Sequence, residues 1–225
     1  MASSAERSWV GCKRRATTVI AGQMLLPPHQ IFENFLTPAE HGSLLDFVLT
    51  NRERFAAATV YNDGVQVVSQ SQRTSEKLAG GLGPLKDMFL DRVKENVSAM
   101  FGGAGIQEKP VVRYETELVA HRDGGRFGRH IDTLTGANKR DDDSPGYRTV
   151  SCVYYFYRQP RAFTGGQLRL FTFGSDDHVD IEPLENAFLV FPSFAAHEVR
   201  PVTCPSGVFE DSRFSVNCWL HCSVG

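Results

Sequence analysis

Apolar residues recur in two rhythms along the chain, and the change between them falls near residue 108. From Ile31 to about Gly103 the spacing is mostly helical. Thr37-Pro38-Ala39-Glu40 reads as a helix start, with an N-cap hydroxyl, proline in the first turn and an acid at the third position. Leu44, Leu45, Phe47, Val48 and Leu49 follow on one stripe. A second helix is predicted from Pro84 through Met100, where Leu85, Met88, Phe89, Val93 and Val97 share a face and Gly102-Gly103 ends it. After Lys109 the runs become strand-like: VVRYETELVAH, RTVSCVYYFY, GGQLRLFTF, NAFLVFPSF and SRFSVNCWLH. They are rich in Val, Phe, Tyr and Thr and are separated by Gly, Pro, Asp and Ser, which predicts a sandwich or barrel. The polar segment 134 to 147, LTGANKRDDDSPGY, is expected at a rim, and no internal repeat is present.

Composition narrows the class. With 225 residues, 41% hydrophobic, the chain can bury one good core. A single domain is expected over 29–225, with helical support in 29–107, a β core in 108–225 and an extension over 1–28. A formal charge of −2 and dispersed basic residues exclude a nucleic-acid or anionic-membrane footprint. No run reaches the ~18 apolar residues of a spanning helix, and Gly22 and Gln23 interrupt the short run TVIAGQMLL, so no signal peptide is read. Five cysteines (Cys12, Cys152, Cys204, Cys218, Cys222), odd in number and without framework spacing, predict reduced thiols and a cytoplasmic setting. Cys218, His221 and Cys222 lack the paired short spacings of a zinc site, so Cys218 and Cys152 read as buried strand thiols. Nothing in the sequence bears on oligomeric state.

The chemistry concentrates around GRHIDT, residues 128 to 133. On a strand His130 and Asp132 project together, while Ile131 points the other way into apolar packing. A third ligand must come from another strand, and His197 in FPSFAAHEVRPV is the candidate. Two imidazoles and one carboxylate on one face of an octahedron leave three positions open, which suits a non-haem Fe(II). A lone His-x-Asp is weak evidence, since such residues also sit at strand ends or cap turns. Sixteen residues after His197, however, Arg213 and Ser215 share one strand face, with Phe214 and Val216 on the other. An arginine turned into a barrel needs an anion, and its planar fork fits a carboxylate. Glu198, adjacent to His197, points away from the metal.

In order along the chain, His130-x-Asp132, TGGQLRLF, FPSFAAHEVRPV and SRFSVNCWLH resemble the motifs of the Fe(II)/2-oxoglutarate-dependent dioxygenases, specifically their prolyl 4-hydroxylase-like branch. FENFLTPAEHGSLLDFV and SQRTSEKL resemble that branch's helical N-terminal region and its Arg-x-Ser stretch. The resemblance implies a mainly β (α+β) fold, with a double-stranded β-helix (jelly-roll) core and packed N-terminal helices. It implies that His130, Asp132 and His197 hold Fe(II), that Arg213, assisted by Ser215, pairs with the distal carboxylate of 2-oxoglutarate, and that no catalytic group is needed beyond the metal centre. O2 and 2-oxoglutarate are then consumed, succinate and CO2 are released, an unactivated C–H is hydroxylated and ascorbate stimulates turnover. The carboxylate of Asp132 favours hydroxylation over halogenation. Two departures stand out. Where the branch usually has tyrosine, nine residues before His130, this chain has His121. That histidine either donates the tyrosine's hydrogen bond, with a charge that depends on pH near neutrality, or is a rim residue, in which case Tyr114 is the alternative phenol. The second departure is the segment CPSGVFEDS, which lengthens the gap from His197 to Arg213.

Arg122, Arg126, Arg129, Arg148 and Arg161 flank the expected mouth. They point to a carboxylate-bearing small molecule such as an amino-acid derivative, or else are solvated and paired with Asp123 and Asp141 to Asp143. Arg122, Arg126 and Arg148 are the candidate substrate contacts, whereas Arg129 lies on the strand face opposite His130. The expected activity is hydroxylation of a small amino-acid-like substrate; the alternatives are a prolyl hydroxylase of peptides or proteins and a non-catalytic, cupin-like binding or sensor protein. The complete set of His130, Asp132, His197 and Arg213 speaks against the last. A zinc hydrolase would leave Arg213 without a role. Val153 to Tyr157 reads as core and pocket lining, and Gly165-Gly166 as a tight turn into the barrel. Pro192 marks a strand edge or bend.

Overall fold

The computed structural model describes residues 25–62, 65–133 and 146–223; most of the predicted extension, Cys12 and most of the rim loop lie outside it. In chain order the strands are β1 (Gln30–Glu33), β2 (Phe55–Ala57), β3 (Val60–Asn62), β4 (Val65–Val67), β5 (Arg73–Thr74), β6 (Glu76–Leu78), β7 (Val111–His121) and β8 (Arg126–His130). They continue as β9 (Tyr147–Phe156), β10 (Thr164–Gly165), β11 (Leu168–Phe171), β12 (His178–Ile181), β13 (Ala187–Pro192), β14 (His197–Val199), β15 (Val202–Thr203) and β16 (Arg213–Cys222). The helices are α1 (Pro38–Thr50), α2 (Lys86–Glu95) and α3 (Val97–Gly103).

A seven-stranded sheet, in the order β1-β13-β9-β16-β7-β6-β2, faces a five-stranded sheet ordered β12-β11-β14-β8-β5. All the pairings are antiparallel, as the predicted barrel or sandwich requires. Strict alternation on the long strands divides the large sheet into two faces. Phe214, Val216, Cys218 and Leu220 of β16, with Val150, Cys152, Tyr154 and Phe156 of β9, pack under the helices against Phe89, Phe101 and Met100. Val153, Tyr155, Leu189 and Phe191 pack inward against Leu168, Leu170 and Ile181 of the smaller sheet. Cys218 and Cys222 belong to the helix-side core, whereas His221 is hydrogen-bonded to Glu115. The three therefore do not converge on a zinc site.

The helical expectation for residues 31–103 is only partly met. Thr37 does cap α1: the Glu40 N–H donates to Thr37 Oγ1 at 3.3 Å, and the Thr37 N–H donates to Glu40 Oε2 at 2.9 Å. Six short strands nevertheless occupy parts of the same region. They are two to four residues long, too short for a period-two signature, and most are ordered by pairing with longer strands, as β1 is by β13 and β6 by β7. The second predicted helix begins at Lys86 and divides at Asn96, whose amide donates to the Arg92 carbonyl at 2.8 Å. An asparagine that satisfies a backbone carbonyl with its own side chain competes with the helical ladder. The helical region bears on the site by buttressing β9 and β16 from behind. Arg92 ties α2 to α1 through Glu40, with the shortest contact at 3.0 Å. Among the described residues no helix is long and apolar enough to cross a membrane.

Candidate metal centre and adjoining cavity

His130 ends β8, His197 opens β14, and the two are register partners on neighbouring strands. Ala195 N–H donates to Pro192 O at 3.0 Å in the turn that leads from β13 back to His197. Asp132 lies past the end of β8, held by its N–H to Ser193 O at 2.9 Å. One ligand atom from each of the three residues lies within 4.8 Å of the others. Because the chain has left the strand, Ile131 turns to solvent, 41% exposed, rather than into the apolar packing that strand alternation predicts.

The ring nitrogens are sorted by hydrogen bonding. His130 Nδ1 lies 2.8 Å from Gly128 O, and His197 Nδ1 lies 3.0 Å from Ala195 O. Both Nδ1 atoms therefore carry a proton, and each Nε2 faces an Asp132 carboxylate oxygen at 3.6 Å, the side from which a metal would be bound. Burial and the neighbouring His130 push His197 down to about 4, so it is neutral at physiological pH. Burial opposes the charge on Asp132, but His197, His130 and Arg148 outweigh it and hold the carboxyl below its usual range. Phe127 stacks on His130 with centroids 3.7 Å apart, and Phe191 packs edge-on to His197 at 4.8 Å. The result is a rigid set of two imidazoles, each held at Nδ1 by a backbone carbonyl, and one anion.

The same cavity, about 640 Å³, extends to a second cluster. Arg213 is 1% exposed and has no carboxylate partner among the described residues; its Nη1 donates to His121 Nδ1 at 3.1 Å, and its guanidinium carbon lies 4.8 Å from the centre of the Tyr155 ring. Arg213 Nε, His121 Nε2 and Tyr155 Oη are all buried without a hydrogen-bond partner among the described residues. Accepting at Nδ1 puts the imidazole proton on Nε2. Burial, Arg213 and Arg73 push His121 well below its ordinary value, so its charge does not change near neutral pH as expected from sequence. Burial raises Tyr155 to about 12, against the pull of Arg213, so its phenol keeps its proton. Three buried donors without acceptors, beside a fixed cation, fit a carboxylate. Gly166, at φ +72°, lets this happen: a Cβ there would lie 2.6 Å from Arg213 Cδ.

Comparison with known proteins points the same way. Residues 112–221 match the model of the 2OG-Fe(II) oxygenase superfamily. That stretch is therefore similar to a 2OG-Fe(II) oxygenase domain. It is 29% identical over 197 residues to an uncharacterized PKHD-type hydroxylase of Synechocystis sp., covering 84% of this chain and 61% of that relative. The chain thus spans less than two thirds of the length of that curated relative. Among solved structures, a Pseudomonas putida prolyl-4-hydroxylase is 22% identical, with a TM-score of 0.61 over 88% of this chain and 94% of that one. A Trichoplax adhaerens prolyl hydroxylase, solved with a peptide fragment of the hypoxia inducible factor oxygen degradation domain, is 20% identical, with a TM-score of 0.64 over 87% and 84%. The two-sheet architecture is that of the family's jelly-roll.

The oxygenase family uses Fe(II), 2-oxoglutarate and O2, and the residues present fit both groups that must be held. The facial set of His130, Asp132 and His197 suits Fe(II), and the unpartnered donors of Arg213, His121 and Tyr155 suit the distal carboxylate of 2-oxoglutarate. Ser215 follows Arg213 on the inner face and lines the same cavity. Tyr114 does not: it lies on the opposite face of β7, packed against the helix-side core. The parity of β7 and β16 explains the difference, since Arg213 pairs with His121 and Leu220 with Tyr114. The phenol beside Arg213 comes instead from Tyr155, an inward position of β9 paired with Ser215. Of the arginines expected at the substrate mouth, Arg148 lines the cavity, clamped on Glu115 at 2.8 Å and 3.1 Å and laid over Trp219 at 3.9 Å. Arg122 and Arg126 do not line it; they bond the carbonyls of Gly207 and Gln70, beyond the far end of β7. Arg129 stacks on Phe171 and pairs with Asp176, and Arg161 pairs with Glu182.

Sequence reasoning missed Ser151. Its hydroxyl donates to Asp132 Oδ2 at 2.6 Å and lies 2.9 Å from Ser193 Oγ, all of it buried. The alternation of RTVSCVYYFY, which turns Val153 and Tyr155 inward, also turns Ser151 inward and was the available signal. By fixing one carboxylate oxygen, Ser151 orients the other. Ser151→Ala is expected to weaken Fe(II) binding by about tenfold, the lower end of outer-shell effects. Competition with a chelator measures this, and unchanged affinity would deny the serine that role.

Proposed function

We propose that the chain, acting as a single domain over residues 29–225, is an Fe(II)/2-oxoglutarate-dependent hydroxylase of a small amino-acid-like substrate. The overall change is R–H plus 2-oxoglutarate and O2 to R–OH, succinate and CO2. The observation that carries this reading is that the His130, Asp132 and His197 set and the unpartnered donors around Arg213 open into one cavity. The metal and its 2-oxo acid supply the activation of O2. The chain's own residues do the rest: His130, Asp132 and His197 would hold Fe(II), while Arg213, His121 and Tyr155 would orient the cosubstrate by its distal carboxylate. Leu168, Val199 and Phe127 line the cavity with apolar surface that excludes water. Its volume of about 640 Å³ falls in the ~300–1,000 Å³ range of small-molecule sites and would hold a small substrate beside the cosubstrate. The cytoplasm is the proposed setting; Cys152, Cys204, Cys218 and Cys222 are free and buried.

The test is succinate formation by the Fe(II)-loaded protein under air, with 2-oxoglutarate and ascorbate, over a panel of amino acids, N-substituted amino acids and proline-rich peptides. Stimulation by a small acid supports the reading, and stimulation by peptides alone would replace it with peptidyl prolyl hydroxylation. A protein that holds iron yet never consumes 2-oxoglutarate would be a binding or sensor protein instead.

A further inference from the structure

Five cations line the cavity: Arg73, Lys77, Arg129, Arg148 and Arg213. Three have a carboxylate of the chain itself, Arg73 through Glu117 at 2.8 Å, Arg129 through Asp176 at 2.6 Å and Arg148 through Glu115 at 2.8 Å. Arg213 has none among the described residues and would be matched by the distal carboxylate of the cosubstrate. Lys77 is the fifth. Among the described residues it has no carboxylate in ion-pair contact; its Nζ donates to Thr59 Oγ1 at 3.3 Å. The fold points Lys77 inward by parity: it pairs with Val119 of β7, on the face shared by Glu117 and His121, while its neighbour Leu78 is buried in the helix-side core.

We propose that Lys77 receives a carboxylate of the substrate, so that the enzyme selects acids over their neutral counterparts. The inference rests on the hydroxylase reading and adds the residue and the charge that select the substrate. A half-buried ammonium in a walled cavity loses hydration that one hydroxyl replaces only in part, and an anion arriving with the substrate supplies the missing partner. A compact ammonium on a flexible stem suits a carboxylate presented at varied angles, where the planar fork of Arg213 suits one fixed pose. Arg73 is held by Glu117, and Arg148 by Glu115, which Arg113 also approaches at 3.5 Å, so these two cations are already engaged by carboxylates of the chain and Lys77 is not.

The test uses the full chain loaded anaerobically with Fe(II) and 2-oxoglutarate. The visible charge-transfer band of an Fe(II)–2-oxo acid chelate reports on the hydroxylase reading by itself. Onto that complex are titrated matched pairs, N-acetyl-L-proline with N-acetyl-L-prolinamide and N-acetyl-L-leucine with N-acetyl-L-leucinamide, and perturbation of the band gives each dissociation constant. At least one acid is expected to bind about tenfold or more tightly than its amide. Lys77→Met should bring the ratio near one without changing the 2-oxoglutarate dissociation constant, and Lys77→Arg should retain most of the preference. An acid-to-amide ratio near one in the wild type for both pairs overturns the proposal, as does failure of both acids to perturb the band. A tenfold loss of 2-oxoglutarate affinity in Lys77→Met would also overturn it, by assigning the lysine to the cosubstrate. If no band forms at all, it is the hydroxylase reading that fails.

Discussion

Asp132→Ala is expected to leave a folded protein with no iron-dependent turnover. Asp132 supplies the one anionic oxygen among the three ligand residues, and both histidines are oriented by backbone carbonyls. Two imidazoles on neighbouring strands remain in place after the substitution, but the facial set and its charge are lost. Outer-shell substitutions cost about 10–100-fold in metal affinity, so loss of a ligand should cost more than about 100-fold, and Fe(II) should wash out on dialysis. Asp132→Asn keeps the shape and the contact with Ser151 while removing the charge, which separates loss of metal from loss of packing. Iron content after dialysis and succinate formation measure the outcome. Stoichiometric iron together with full hydroxylation in Asp132→Ala would sink the metal assignment, and with it the reading of His130 and His197.

The parts of this site that lie on long strands were legible in the sequence, because period-two alternation over ten residues leaves little freedom. Arg213 and Ser215 turn inward, and Phe214 and Val216 turn outward, as SRFSVNCWLH dictates. Parity becomes unreliable where a strand ends. Asp132 reaches the metal set from a bend held by Ser193, and Ile131 consequently faces solvent. The exchange of Tyr114 for Tyr155 has a different origin. Both are strand tyrosines, and only the register between β7, β16 and β9, a property of long-range pairing, shows which one stands beside Arg213. The roles of Lys77 and Ser151 depend on tertiary contacts, although alternation along β9 does turn Ser151 inward. One lies on a three-residue strand without a pattern of its own, and the other looks like an ordinary β-sheet serine until the fold brings Asp132 to it.

Replacing Arg213 should make the protein more stable and less able to use its cosubstrate, and the two effects have one cause. The guanidinium is fully buried, burial works against its charge, and its Nε lacks an acceptor among the described residues. Exchanging buried charge for an apolar side chain of similar volume is often stabilising by about 1–4 kcal/mol. In a chain of this size each kcal/mol moves Tm by roughly 2–4 °C, so Arg213→Met should melt several degrees above the wild type when neither carries 2-oxoglutarate. Saturating 2-oxoglutarate should reverse that order. Ligand at about 100 times its Kd adds about 2.7 kcal/mol to the wild type, whereas the methionine variant has no fork to meet the distal carboxylate and should show almost no shift. In kinetics, truncating one partner of a buried, hydrogen-bonded charge pair costs about 2–5 kcal/mol. The apparent KM of Arg213→Ala for 2-oxoglutarate should accordingly rise by at least about 30-fold, with iron binding retained. Thermal melts with and without 2-oxoglutarate, read beside that KM, test both effects. If Arg213→Met melts lower than the wild type and keeps its response to 2-oxoglutarate, the arginine is a structural residue, and the cosubstrate's carboxylate must be bound by other groups in the cavity.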